Sequence, residues 1–177
     1  MVSKWVTEER VEVAKSFIFK HFQVRRKSPD SGAVGTFDTI KCFDWVNMIP
    51  LTAEGEVVMV KQYRHGSDSV TLEIPGGAVD PGEDFLTAAK RELQEECAYT
   101  GEQWTKVGQV QPNPAFIENT CETYLVENCR PNGTQDLDPM EEIDVVKVPL
   151  KEIPKLIADG TIQHSLVIAA FYHLANK

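Results

Sequence analysis

Apolar and polar positions follow two different periods along this chain, and the changes of period mark its elements. Across residues 83–97 the apolar side chains Leu86, Ala89, Leu93 and Cys97 recur every three or four positions, the stripe of an amphipathic helix. Ahead of it, residues 71–75 are short and mostly apolar. They are followed by Gly76-Gly77 and an acidic Asp80-Pro81-Gly82 turn, so strand, loop and helix are predicted in that order. Further upstream, residues 39–51 and 57–63 read as a strand pair turning at Ala53-Glu54-Gly55, with Trp45 and Asn47 on one face and Val46 and Met48 on the other. Downstream, strands are predicted over 104–110, with Gly108 marking a bulge, and over 120–126 and 145–148. Two helices follow, one over 151–159 stopped by Gly160 and one over 165–174 with His164 at its boundary.

The two ends of the pattern are less regular. Phe17 with Phe19 and Phe22 with Val24 alternate, which predicts a strand interrupted by a bulge near Lys20 and His21. It runs into Arg25-Arg26-Lys27 and a loop, SPDSGAVG, so residues 1–36 read as an N-terminal arm before a main domain of residues 37–177. Residues 128–140 form a polar connection, long for a compact domain and therefore a candidate functional loop. Strands that precede and enclose one long helix, with two helices at the end, make an α+β layout with helices against the faces of a mixed sheet.

The candidate chemistry lies on the polar side of the central helix. At about 100° per residue, Glu92, Glu95 and Glu96 fall within an arc of roughly 100° beside the apolar stripe. Like charges four apart destabilise a helix by a few tenths of a kcal/mol, a local fault that a divalent cation would compensate. Mg²⁺, or Mn²⁺ in its place, takes carboxylate oxygens and leaves positions for substrate phosphates. Gly76 and Gly77 let the backbone approach such an ion, with the Gly76 carbonyl a candidate ligand. Arg91 falls on another face, suited to a structural pair with Glu83. Arg64 is suited either to bidentate contact with a diphosphate or to an ion pair with Glu73.

Charge and cysteine usage narrow the setting. A net charge of −9 over 177 residues argues against a non-specific nucleic-acid or membrane-surface binder. Cys42, Cys97, Cys121 and Cys129 show no CxxC pairing, and no signal peptide or membrane span is legible, so a reduced, cytoplasmic protein is expected.

The spacing Gly77, five residues, Glu83, seven residues, Arg91-Glu92-Leu93-Gln94-Glu95-Glu96 resembles the signature of the Nudix hydrolases. Two positions depart from it: the family usually has Gly and an aliphatic residue where this chain has Ala98 and Tyr99, and Gly101 is expected to take the left-handed helix cap instead. VKQYRHG followed by LEIPGG is similar to the branch holding ADP-ribose pyrophosphatases and other nucleotide-sugar hydrolases. The resemblance implies an α/β/α sandwich with an N-terminal β arm. It implies Mg²⁺ held by Glu92 and Glu96 with Glu95 assisting, Arg64 on the phosphates, and a homodimer formed in part by the arm. It also implies a loop carboxylate that activates water, Glu141 before Glu142, and a proline, Pro114, that shapes a loop over the substrate. Trp5 and Trp45 are candidates to stack on the base, although from the sequence alone Trp5 reads first as a core or dimer-interface aromatic. Asn113, Phe116 and Asn119 either face the sugar or belong to a turn around a buried Phe.

The expected activity is Mg²⁺-dependent hydrolysis of a nucleoside diphosphate sugar, ADP-ribose foremost, with no nucleic acid or membrane as partner. A Nudix hydrolase of nucleoside triphosphates or RNA 5′ ends and a non-catalytic nucleotide-sugar sensor are the alternatives.

Overall fold

The aromatic segment near the N-terminus is two strands, and the break lies earlier than Lys20. A computed structural model describes residues 2–177, and its backbone contacts divide into two compact units. The first takes in the chain up to Phe43 together with residues 111–119. It holds β1 (Val6–Lys15), β2 (Phe19–Lys27) and β3 (Val34–Cys42), an antiparallel sheet in that order. The turn between β1 and β2 closes through Ser16, whose N–H donates to Phe19 O at 2.8 Å and whose Oγ accepts from Phe19 N at 3.1 Å. A hydroxyl thus performs what Gly, Pro or Asn would have announced, which corrects the expected bulge to a hairpin. Bulges do occur, in β1, at Thr7/Glu9 and Glu12/Ala14. Residues 111–119 join this unit along β3, with Ile40 N–H donating to Phe116 O at 2.7 Å.

The second unit comprises residues 44–110 and 120–177. In chain order its elements are β4 (Trp45–Thr52), β5 (Glu56–Arg64), β6 (Ser69–Glu73), β7 (Gly76–Ala78) and α1 (Phe85–Cys97). Then come β8 (Tyr99–Thr100), β9 (Gln103–Val110), β10 (Cys121–Pro131), β11 (Ile143–Pro149), α2 (Ile153–Ala158) and α3 (Ser165–Ala175). The single strand expected over 39–51 is therefore broken at Phe43-Asp44. There the Asp44 side chain accepts from Thr120 N and its carbonyl from Val79 N, at 2.8 and 2.9 Å.

The sheet runs β11-β5-β4-β10-β8, with β6 on β5, β7 on β4 and β9 on β10. Only β4 and β10 pair in parallel, so the sheet is mixed. A parallel pair needs a long crossover, and the chain between these two strands includes α1. Alternation along β4 then fixes the layers. Val46 and Met48 pack against Ala88, Ala89, Leu93 and Cys97 of α1, while Ile49 packs on the other face against Ile153 of α2 and Val167, Ala170 and Phe171 of α3. Helices on both faces make this unit an α/β/α sandwich, as expected.

Three local features differ from expectation or sharpen it. In β9 the register passes from Lys106 to Gly108, leaving Val107 as the extra residue of the bulge, and Val107 joins the second core cluster. The strand expected to end at 126 continues as β10 to Pro131, across an irregularity where Asn128 adopts φ 54°, so the long connection starts later. Finally, α1 ends on Ala98 itself in the left-handed conformation, φ 55° and ψ 42°, rather than on Gly101. Gly101 is small for another reason: a Cβ there would run into the side chain of Val126.

Candidate active site

The start of α1 is held by Asp84, whose Oδ1 accepts from Leu86 N and Thr87 N, both at 3.1 Å. From that fixed start the helix carries Glu92, Glu95 and Glu96 beside β7. A Cβ on Gly76 would stand 2.5 Å from Val46 O, and one on Gly77 would collide with the Glu92 carboxylate. The two glycines are thus what admits the strand pairing and the acid together. Gly76 N–H donates to Glu96 Oε2 at 2.9 Å, and Glu96 is only 4% exposed.

Burial pushes the Glu96 carboxyl up to about 8; the Gly76 N–H opposes this, and the nearby charges of Glu92 and Glu141 add to it. Burial likewise raises Glu92 to about 7, against the Arg91 charge. Arg91 is not confined to another face. Its guanidinium meets Glu83 at 3.0 Å, Glu92 at 2.8 Å and Glu95 at 3.0 Å, and donates to Ala78 O at 3.0 Å. The reason is reach: a long side chain at i lies beside i+4 and turns back over i+1. With Glu92 and Glu95 drawn to Arg91 and Glu96 to Gly76, no cluster of three or more acidic, histidine or cysteine side chains is gathered as a metal centre among the described residues. The donor set itself fits a hard divalent cation, since it offers carboxylate oxygens, with Glu96 buried, Glu92 half-buried and their charges mutually repelling.

Around this row stand groups from other elements. Glu141, at the end of the connection before β11, is near enough for its charge to raise both Glu92 and Glu96 and to favour the charged form of Arg64. Arg64, the last residue of β5, forks onto Glu73 of β6, with both N–H···O distances 2.9 Å. Of the two readings of Arg64, the ion pair is therefore present. It engages Nε and Nη2 and leaves the Nη1 hydrogens for another acceptor. Burial would raise Glu73, but hydrogen bonds from Arg64 and Thr71 and the Arg64 charge outweigh it, so its pKa is lowered.

His164, read from sequence as a boundary residue, does precede α3, and its ring reaches the same place. Its Nε2 lies 4.0 Å from Glu73 Oε2 while Nδ1 is buried without a partner. Burial holds its pKa down, only partly offset by Glu73. Nothing local in the sequence marks it; the association depends on α3 packing back on the sheet.

Trp45 opens β4, half-buried, opposite Ala78 and Cys121. Glu142 is exposed. Trp5, Asn113, Pro114 and Phe116 belong to the first unit. There Trp5 meets Phe37 edge-on at 5.5 Å and lines a cleft of about 500 Å³ with Ser3, Lys4, Thr7 and Arg26. Pro114 sits in a turn closed by Ile117 N–H on Asn113 O at 2.8 Å. Phe116, 42% exposed, is not the buried ring of the simpler reading, and Asn119 Nδ2 donates to Phe43 O at 3.1 Å.

The chain matches the NUDIX domain over residues 44–171. It belongs to the Nudix family. It is 30% identical to an ADP-ribose pyrophosphatase of Bacillus subtilis (strain 168) over 133 residues, 75% of this chain and 72% of the relative. It is 27% identical to an ADP-ribose pyrophosphatase of Mycobacterium tuberculosis (strain ATCC 25618 / H37Rv) over 167 residues, 93% and 79% of the two chains. A solved structure described as an ADP compounds hydrolase superposes with a TM-score of 0.86 at 20% identity, covering 99% of this chain and 95% of that one, a likeness of fold. The Nudix resemblance carried by Gly77, Glu83 and residues 91–96, and the branch suggested by LEIPGG, are thereby borne out. No helix among the described residues of this Nudix chain is long and apolar enough to cross a membrane.

Proposed function

We propose that this chain hydrolyses the diphosphate bond of nucleoside diphosphate sugars, ADP-ribose foremost, giving a nucleoside monophosphate and a sugar phosphate. The observation that carries the reading is the acidic row of α1, with Glu96 buried, set against Gly76 and Gly77, with Glu141 close by and Arg64 held at the edge. The printed names of the relatives point the same way.

Glu92 and Glu96 would hold a divalent cation, Mg²⁺ or Mn²⁺, with Glu95, the Gly76 carbonyl and Glu141 as further candidate ligands. When bound, the cation supplies Lewis acidity toward the phosphate oxygens. Arg64, steadied by Glu73, uses its remaining donors on the phosphate that is not attacked. Glu141, ahead of Glu142, accepts the proton of the attacking water. The new phosphorus–oxygen bond forms from that water as the bridging oxygen leaves with the other phosphate. Gly77, Glu83 and Arg91 shape and brace the loop. Trp5, Trp45, Asn113 and Phe116 are the groups proposed for base and sugar, with Pro114 fixing their loop. The N-terminal arm, residues 1–36, serves a homodimer, and the hydrolase domain, residues 37–177, follows it. Four free cysteines suit a cytoplasmic setting.

The test is product analysis after incubation with ADP-ribose, other nucleotide sugars and nucleoside triphosphates, with Mg²⁺ and with chelator. Mg²⁺-dependent release of the monophosphate from the sugars is expected. Cleavage of triphosphates alone, or binding without turnover, would overturn the reading.

A further inference from the structure

A helix leaves its last carbonyls without partners inside the helix, and those of α1 are taken up by the segment after β10. Asn132 N–H donates to Ala98 O at 2.6 Å and Asp136 N–H to Glu95 O at 3.0 Å. The Gln94 side chain donates to Asn132 O at 2.8 Å and accepts from Asn132 Nδ2 at 2.7 Å. Gln135 reaches further than these. Its Nε2 donates to Glu96 O at 2.6 Å and to Ile143 O at 3.3 Å. A primary amide has two N–H bonds, enough for one to each carbonyl.

One side chain therefore spans from the backbone of Glu96, in the acidic row, to the backbone of Ile143, two residues beyond Glu141. The intervening residues have no helix or strand of their own. Within them Glu141 N–H donates to Asp138 O at 2.9 Å, a turn that shapes the tip but does not attach it to α1. Leu137 packs against the first core cluster and adds an apolar anchor on the near side of that tip. On the far side Ile143 packs in that same cluster, and Gln135 adds the hydrogen-bonded link back to the helix.

We infer that Gln135 is a positioning residue: by tying the Glu96 carbonyl to the Ile143 carbonyl it sets where Glu141 stands relative to Glu92 and Glu96. This rests on the role proposed for Glu141. The backbone links of Asn132 and Asp136 fasten the start of the connection, the pairing of Ile143 with Gln62 and its burial in the first core cluster hold its end to the sheet, and Gln135 joins that end to the backbone of the acidic row. A displacement of about 1 Å in a reacting group can cost on the order of 100-fold in rate, so a side chain far from the phosphates has leverage.

The experiment pairs Gln135→Leu, which keeps the bulk and removes both donors, with Gln135→Asn, which is one methylene too short to span both carbonyls. In the metal-free protein, amide hydrogen exchange over residues 138–143 is expected to accelerate about tenfold in Gln135→Leu while the core of α1 keeps its protection. With ADP-ribose at saturating Mg²⁺, kcat is expected to fall about 10–100-fold with KM within about threefold, and by a smaller factor in Gln135→Asn. Unchanged exchange in either variant would overturn the tether. Faster exchange with kcat within twofold of wild type would overturn the positioning role. The exchange readout needs no substrate, so it stands apart from the functional reading. Glu141→Gln, assayed alongside, is expected to lose activity; a normal kcat there would remove the assignment of Glu141 and this inference with it.

Discussion

Glu96 and Glu73 are both buried in the same unit, 4% and 2% exposed, yet their environments drive them in opposite directions. Burial raises both. Glu73 is answered by a forked guanidinium and the Thr71 hydroxyl, so its pKa ends below the usual carboxylate value. Glu96 receives one backbone N–H and faces two further carboxylates, so its pKa ends at about 8. A protein that needed only a buried acid would build the first arrangement. The second leaves negative charge without a partner, which the cation proposed for this site would meet.

The comparison breaks hardest at Glu96. Glu96→Gln should lower kcat by about 10³-fold, from the several kcal/mol that a metal ion supplies to phosphate chemistry. The amide keeps an acceptor for Gly76 N–H, so the chelated variant should be no less stable than wild type at pH 8. Steady-state assay and chelated denaturation measure the two sides. Glu73→Ala should behave in reverse, costing stability directly. It leaves Arg64 largely buried without its partner, at about 2–4 kcal/mol by denaturant titration.

A gentler break uses pH. The folded-state pKa values of Glu92 and Glu96, about 7 and 8, lie above the unfolded value near 4.5. The folded state therefore binds more protons between about pH 4.5 and 8, and the chelated protein should lose stability as pH rises through that window. Mg²⁺ should restore it at the alkaline end. Glu73 has the opposite sign, its contribution being present above about 4.5 and lost as pH falls through its lowered value. Chelated unfolding at pH 5, 6.5 and 8 checks this, and stability flat from 5 to 8 would contradict it.

The smallest effect concerns the end of the helix that carries the acids. Ala98 occupies a left-handed conformation, which costs a Cβ-bearing residue about 1 kcal/mol, so Ala98→Gly should stabilise by about 0.5–1 kcal/mol in the same titration.

What could be read in advance depended on how local the cause was. The helix, read over residues 83–97 and found over 85–97, and its glycine loop were legible because periodicity and Gly76-Gly77 act within a few residues, whereas the Asp84 cap emerged only in the structure. The strand faces of Trp45 to Met48 followed from simple alternation. The β1–β2 hairpin was missed because Ser16 closes it without a strong turn residue. The left-handed cap fell on Ala98 rather than Gly101, since the chain is already extended as β8 at Tyr99–Thr100 before it reaches Gly101. His164 beside Glu73, Arg91 bridging Glu92 and Glu95, and Gln135 joining two distant carbonyls are consequences of tertiary packing or of long side chains turning back. No short pattern announces such contacts.

The most direct test of the central claim is calorimetric titration of Mn²⁺ into wild type and Glu96→Gln at pH 7, repeated in buffers of different ionisation enthalpy so that released protons are counted. The account expects binding to wild type accompanied by proton release that fades as pH is raised to 9, and binding greatly weakened in Glu96→Gln. Equal binding by the two proteins, or binding without proton release at pH 7, would contradict the assignment of the acidic row of α1 as the cation site.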